Sequence, residues 1–161
     1  MTMNAHRHTS RFRYSAKIVR VVDGDTVDVD IDLGFSVILA KQRLRLYGID
    51  TPETRTRDLV EKEAGNLAKA RVKELLVVGE SYPIWTVEKG KFGRYLAQIW
   101  PSFEEFAESV NAMLVQEDLA VEYYGQSKKT LAAERKKQYT RLRKKGYLKR
   151  KPKIKLKRKR K

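Results

Sequence analysis

The chain has 161 residues, an apolar content of 41% and a net charge of +16, which indicates one domain with a single core and a polyanionic partner. It contains no cysteine, which excludes disulfides, thiolate catalysis and cysteine-ligated zinc. Residues 128–161 hold 19 of the 36 basic residues and a single acidic one, so a C-terminal tail carries the imbalance. No run of about 18 apolar residues and no secretory signal is visible, and we expect an intracellular monomer with no membrane partner.

The first half of the chain shows strand periodicity. Residues 1–13 lack a pattern and are expected to be flexible. Strand patterns run from Tyr14 to Val22, from Thr26 to Leu33 and from about Ser36 to Leu46, and Asp23-Gly24 is a turn dipeptide between the first two. Together they predict an antiparallel meander.

The acidic face of the second strand invites comparison with a calcium-binding loop. Asp28, Asp30 and Asp32 have the spacing of an EF-hand, but that loop needs glycine at its sixth position and glutamate at its twelfth. Those positions hold Leu33 and Leu39. We interpret the three aspartates as the solvated face of a long hairpin.

The second half alternates helical and strand patterns. The predicted elements are, in order, a helix, two strands and two helices, at Leu59–Val77, Tyr82–Glu88, Phe92–Trp100, Phe103–Glu117 and Lys128–Lys145. Five strands with helices after the third and fifth predict an α+β fold, a five-stranded OB-type β-barrel with about three helices and a basic C-terminal tail.

Helical spacing also predicts which residues of each helix lie on the same face. In the first helix, the residues spaced by three and four are Leu67, Ala70, Arg71, Glu74 and Leu75. In the second, Phe106 and Leu114 lie on one apolar face, and we interpret that face as core.

Charged residues are dense in the stretch RLRLYGIDTPET, from Arg43 to Thr54. Alternation places Arg45 on the face opposite the leucines, and Asp50 and Glu53 follow the end of the strand. Asp-Thr-Pro-Glu on its own is typical of a turn or helix cap.

Two residues outside this stretch complete a chemically coherent set. Asp25 follows the first turn, and Arg94 follows a Phe-Gly step in a later strand. Asp25 and Asp50 together suit a hard divalent cation, Ca²⁺ or Mg²⁺. Arg45 and Arg94 suit a phosphodiester, and Glu53 could accept a proton from water. The set favours metal-assisted phosphodiester hydrolysis.

Four segments resemble the staphylococcal (thermonuclease) nuclease family. They are VVDGDTV at Val21–Val27, RLRLYGIDTPET at Arg43–Thr54, KFGRYLAQIW at Lys91–Trp100 and the helix and aromatic strand at Val110–Tyr124. The resemblance implies a Ca²⁺ ion held by Asp25, Asp50 and the main-chain carbonyl of Thr51. It also implies Glu53 as the general base, Arg45 and Arg94 on the scissile phosphate, and Tyr123 near the position of the nucleotide-stacking tyrosine.

The activity implied by the resemblance is calcium-dependent endonucleolytic hydrolysis of DNA and/or RNA with little sequence specificity, leaving 3′-phosphates. Two departures from the family pattern are visible: the strand pair between Asp25 and Arg45 looks longer, and the loop after Glu53 looks shorter. The alternatives are a non-catalytic nucleic-acid-binding module that uses its basic tail and a structural scaffold. The presence of all five charged site residues favours the enzyme.

Composition, charge and periodicity, together with the resemblance, divide the chain into three parts. Residues 1–13 are the flexible N-terminal segment, residues 14–127 the nuclease-like OB-type domain, and residues 128–161 a basic tail, helical and then disordered. The tail is expected to add sequence-independent affinity by releasing counterions from phosphates. Truncation after Gly125 is therefore expected to weaken DNA binding and leave turnover intact.

Overall fold

The computed structural model describes residues 12–90, 93–104 and 107–149. The strands within these residues are β1 Arg13–Asp23, β2 Thr26–Asp32, β3 Ile38–Leu46, β4 Ile49–Asp50, β5 Ser81–Lys89, β6 Tyr95–Ile99 and β7 Val121–Glu122. The helices are α1 Leu59–Leu75, α2 Val110–Gln116 and α3 Lys128–Lys144. None of these helices is long and apolar enough to cross a bilayer.

Five strands close into a barrel in the order β1-β2-β3-β6-β5. The neighbours β1–β2, β2–β3, β5–β6 and β1–β5 are antiparallel, and β3 pairs in parallel with β6. This confirms the predicted α+β fold with a five-stranded OB-type barrel. The short strands β4 and β7 form a separate antiparallel pair. The resemblance implied a strand where β7 lies, but the sequence did not predict β4, because two residues are too few to show a period.

Alternation along β2 and β3 gives the barrel its core. Val27, Val29 and Ile31 on β2 are buried, and so are Leu44 and Leu46 on β3. The polar residues between them face outward, since successive strand residues point to opposite faces. The predicted alternation is therefore confirmed within β2 and β3, but Leu33, the last residue of the predicted second strand, lies beyond β2 and is exposed.

Helix α1 packs on the barrel with a different face from the one predicted. Its buried side chains recur at every fourth residue, at Val60, Ala64, Ala68 and Val72. Leu67 and Leu75 are only partly buried beside that face. Small side chains allow the helix backbone to approach the barrel closely. The side chains on the contact face are therefore smaller than the leucines beside it.

Helix α2 is shorter than predicted, and the expectation that it begins at Phe103 was wrong. It begins at Val110 because Ser109 caps the helix: its backbone is extended, and its side-chain hydroxyl oxygen accepts a hydrogen bond from the Ala112 N–H at 3.2 Å. Phe103 lies outside the helix and is exposed. The predicted core residue Phe106 lies outside the described residues.

Helix α3 confirms the last predicted helix and belongs to the packed part of the protein. Gln138 and Leu142 are fully buried, and Leu148 beyond the helix is nearly so. Truncation after Gly125 would therefore remove core side chains along with charge. A cut after Lys149 separates the two effects.

Candidate active site

The turn between β1 and β2 positions Asp25. Its carboxylate is buried, and it accepts hydrogen bonds from the Thr26 hydroxyl at 2.8 Å and from the Thr51 N–H at 3.3 Å. A β-carbon at the preceding Gly24 would lie 2.9 Å from the Ala68 β-carbon. The close approach of α1 therefore requires glycine there. The position of Asp25 is thus fixed by the packing of Gly24 before it and by the hydrogen bonds from Thr26 and Thr51.

A chain reversal after β3 positions Asp50. Gly48 takes up a φ of +75° that glycine accommodates readily, and the buried Asn111 side chain of α2 donates to the Tyr47 carbonyl at 2.9 Å. Asp50 then pairs with Val121 of β7. These contacts bring the Asp50 carboxylate back toward the β1–β2 turn.

Arg45 joins the two carboxylates. Its Nη1 lies 3.1 Å from Asp25 Oδ2, and its Nη2 lies 2.7 Å from Asp50 Oδ1. The Arg45 side chain is 20% exposed and the two aspartates less than that, so the attraction is only partly screened by water. Two carboxylates from separate strands thus flank a single cationic group.

A second arginine, Arg135 of α3, reaches the same carboxylate. Its Nη2 donates to Asp50 Oδ2 and, at 2.5 Å, to the Thr51 carbonyl. Burial opposes the charged form of Arg135, but Asp50 outweighs it and raises the pKa of the guanidinium. Sequence reasoning missed this residue because nothing in the pattern distinguishes it from the other basic residues of the tail.

The donor set of this cluster suits a hard divalent cation. The carboxylates of Asp25 and Asp50 and the main-chain carbonyl of Thr51 are all oxygen donors, which Ca²⁺ and Mg²⁺ prefer, and cationic groups already lie against all three. Within the described residues, no group of three or more His, Cys, Asp or Glu side chains could hold a metal. An ion here would therefore depend on two carboxylates, a carbonyl and water.

The cluster opens into a cleft of about 630 Å³. Its charged lining residues are Asp23, Asp25, Glu53, Arg43, Arg45, Arg55 and Arg94. The structure therefore brings together four of the residues singled out in the sequence: Asp25, Arg45, Glu53 and Arg94. Asp50 and Thr51 join them through Arg45 and Arg135.

Glu53 is set apart from the other carboxylates by its environment. The residue as a whole is exposed, but the surrounding chain desolvates its carboxyl group, and this raises the pKa of Glu53 above its ordinary value. Repulsion from Asp23, Asp25, Asp50 and Glu61 raises it further. Once ionised, such a carboxylate is a stronger base than a free glutamate.

Tyr123 is held by its backbone at the edge of this region. Its N–H donates to the Gly48 carbonyl at 2.9 Å, and its side chain is not among those lining the cleft. The neighbouring Tyr124 makes an edge-on contact with Tyr47 at 5.8 Å between ring centroids. The role of Tyr123 in stacking a nucleotide therefore stays a prediction.

Asp23 has a contact that sequence reasoning missed. It lies at the predicted turn, where its side chain accepts a hydrogen bond from the Gly24 N–H at 2.9 Å. Its other carboxylate oxygen accepts one from the Thr54 hydroxyl at 3.1 Å, which ties the loop after Glu53 to the β1–β2 turn. The Asp-Gly-Asp spacing was the available signal, since it puts a second carboxylate two residues before Asp25.

Comparison with known proteins gives consistent matches. Residues 43–152 match the family described as Staphylococcal nuclease homologue. The chain is 37% identical over 108 residues to a thermonuclease from Staphylococcus hyicus and 35% identical over 104 residues to one from Staphylococcus intermedius. These matches cover 65% and 64% of the chain and 56% of each relative. A micrococcal nuclease from Shigella flexneri is 28% identical over 121 residues, 70% of the chain and 61% of the relative. The chain thus spans a little over half the length of these relatives.

Proposed function

The chain belongs to the staphylococcal nuclease family, and from that membership and the geometry of the cleft we propose that it is a calcium-dependent endonuclease acting on DNA and/or RNA. The names of the thermonuclease and micrococcal nuclease relatives support a nuclease activity. The observation that carries the proposal is the bridge from Arg45 to Asp25 and Asp50. It brings two carboxylates to one cation, beside a cleft that also contains Glu53 and Arg94.

Asp25, Asp50 and the carbonyl of Thr51 are the residues that would hold the calcium ion. When bound, the ion supplies positive charge to a phosphate oxygen and to water. The rigid placement of Asp25, whose two oxygens already accept hydrogen bonds from Thr26 and Thr51, supports this assignment. Preorganised ligands lose little freedom on binding.

Glu53 is the proposed general base. A water molecule attacks phosphorus and its proton passes to the Glu53 carboxylate. The bond from phosphorus to the 5′-oxygen breaks, and the leaving oxygen takes up a proton from a solvent water molecule. The raised pKa of Glu53 strengthens it as an acceptor for that proton. Cleavage at this bond leaves a 3′-phosphate.

Arg45 and Arg94 are the proposed phosphate ligands. Negative charge grows on the non-bridging oxygens as water attacks, and a planar guanidinium can donate two parallel hydrogen bonds to them. Donors that bind the transition state more strongly than the substrate raise the rate. Both arginines line the cleft with Glu53, which supports their acting on one phosphate.

Low sequence specificity fits the charge distribution. Contacts to phosphates carry no sequence information, and the basic residues of the C-terminal tail supply many of them. The expected monomer state remains a prediction, as does the division into flexible segment, domain and tail.

End-group analysis tests the proposal. End-labelled DNA and RNA oligonucleotides are incubated with the full chain in a calcium series and in chelator, and the products are treated with a 3′-phosphatase. We expect internal cleavage only with calcium, and products that gain a free 3′-hydroxyl on phosphatase treatment. Cleavage only from the ends, or 5′-phosphate products, would contradict it.

A further inference from the structure

We propose that Arg135 is a built-in competitor for the metal site, a tethered cation that a calcium ion must displace before it can bind. This inference rests on the calcium site proposed above. It concerns a residue of α3, far along the chain from the acidic motifs. It predicts that the protein binds calcium more weakly than the same ligands would in the absence of Arg135.

The position of a single atom carries the inference. Arg135 Nη2 contacts both Asp50 Oδ2 and the Thr51 carbonyl oxygen, which are two of the three proposed calcium ligands. A positively charged nitrogen within hydrogen-bonding distance of both oxygens uses the lone pairs that these two ligands would offer to a metal ion. The same oxygens cannot serve both cations fully.

The contact is incomplete as an arginine site. Arg135 Nη1 is buried and has no hydrogen-bond partner among the described residues. A buried donor left unpaired opposes the favourable contacts made by the other nitrogen. Tyr139 is a further side-chain partner of the guanidinium, so the site leaves one of its nitrogens unpaired, and replacing Arg135 by a divalent ion removes that cost.

Helix α3 can release Arg135 without leaving the barrel. Its second half is anchored separately: Gln138 donates to the Asp118 carbonyl at 2.9 Å, Lys145 lies 2.7 Å from Asp118 Oδ2, and Leu142 is fully buried. The first half, in contrast, is largely exposed. Movement of the Arg135 side chain need not disturb the anchor.

There is also space for the displaced side chain. Arg135 lines a groove of about 810 Å³ between α3 and the start of α1, together with Glu53, Lys128 and Lys136. Rotation into this groove takes the guanidinium toward solvent. Calcium can bind only to molecules in which Arg135 has left Asp50 and Thr51. The apparent calcium affinity is therefore the intrinsic affinity multiplied by the fraction of molecules in that state.

Calcium binding measured without nucleic acid tests this. Isothermal titration with calcium chloride is performed on the full-length chain and on Arg135→Gln, with Arg141→Gln as the matched control. Arg141 lies on the same helix and also pairs with an aspartate, but with Asp118. We expect Arg135→Gln to bind calcium about tenfold more tightly than the parent and Arg141→Gln to bind like the parent. Should Arg135→Gln fail to fold, Arg135→Met, which keeps most of the aliphatic stem, takes its place.

The outcomes separate this inference from the proposed function. If the parent binds calcium and Arg135→Gln binds it equally or more weakly, Arg135 orients the ligands or is irrelevant, and the inference is overturned while the calcium site stands. If no variant binds calcium, the calcium site and this inference are both overturned. Tighter binding in Arg135→Gln that disappears again in Arg135→Gln/Asp25→Asn supports both.

Discussion

Gly65 of α1 lies directly against the Pro52 carbonyl: a β-carbon at Gly65 would come within 2.6 Å of that oxygen and 2.8 Å of the Glu53 carbonyl carbon. Both neighbours are backbone atoms, which cannot rotate away as a side chain can. The helix therefore supports the segment that carries Glu53, and it can do so only with glycine at this position.

Replacing Gly65 by alanine should destabilise the protein, although alanine is the better helix former by about 1 kcal/mol. Overpacking against fixed backbone typically costs about 1–3 kcal/mol, so we expect a net loss of about 1 kcal/mol in the free energy of unfolding. Urea denaturation measures it, with Asn66→Ala on the exposed face of α1 as control. A Gly65→Ala variant as stable as the parent would show that the helix is free to shift.

Arg45→Lys should reduce the rate of phosphodiester cleavage by about 10²–10³, the loss typical of removing one transition-state donor. Lysine keeps the charge but cannot donate the two parallel hydrogen bonds that we propose Arg45 makes to the phosphate. Steady-state cleavage of plasmid DNA measures the change. The control is Arg20→Lys; Arg20 is exposed and pairs with Asp28 outside the cleft, and this variant should cleave like the parent. A comparable loss of rate in Arg20→Lys would show that the effect is not specific to the cleft.

Asp118→Asn should destabilise the protein at neutral pH by about 1–2 kcal/mol, since charged hydrogen bonds contribute about 1.5–3 kcal/mol and exposed partners less. Burial opposes ionisation of Asp118, but Lys145 and Arg141 outweigh it and lower the pKa below its ordinary value of 3.8. Asparagine tolerates the φ of +64° found there, so backbone strain does not confound the comparison.

The pH dependence of this effect has a definite sign. Because the pKa of Asp118 is lowered in the folded state, its stabilisation is present above the ordinary value of 3.8 and is lost as the pH falls through the lower folded-state value. Denaturation of parent and Asp118→Asn between pH 7 and pH 3 should therefore give curves that converge at the acid end. A difference that does not change with pH would rule out the charge as its cause.

Truncation after Lys149 should weaken DNA binding without lowering turnover at saturating substrate. The removed residues 150–161 contain nine basic side chains and no acidic one. The slope of log K against log salt becomes shallower by about 0.9 for each phosphate that the shortened chain no longer neutralises. Binding isotherms at several salt concentrations, measured with both lengths of chain, give the two slopes. Equal slopes would mean that this segment does not bind nucleic acid.

The sequence predicted the fold well where apolar and polar residues alternate. Strands β2 and β3 are half buried, so Val27, Val29 and Leu44 stand out from their polar neighbours. Helix α1 was harder because the middle of its contact face consists of small residues, Ala64, Gly65 and Ala68, whose weak hydrophobic signal is masked by the larger leucines beside it. A search for apolar periodicity gives most weight to large apolar side chains, whereas the close packing of this helix requires small ones.

The site divides in the same way. Asp25 and Arg45 lie in short motifs at adjoining ends of the barrel strands β2 and β3, and Asp50 follows β3 closely in the same motif, so local sequence is enough to bring them together. Arg135 contacts Asp50 across 85 positions of sequence and lies in a uniformly basic helix. No local pattern indicates which of several lysines and arginines will face inward, because that depends on how α3 docks.

Plasmid nicking by Asp25→Asn tests the proposed metal-dependent nuclease most directly. Parent, Asp25→Asn and the control Asp32→Asn, an exposed aspartate at the far end of β2, are assayed with calcium and with chelator. We predict that the parent and Asp32→Asn nick supercoiled DNA only with calcium, and that Asp25→Asn, although folded, is slower by at least about 10². Nicking by Asp25→Asn at the parental rate, or nicking by the parent that survives chelation, would contradict the proposal.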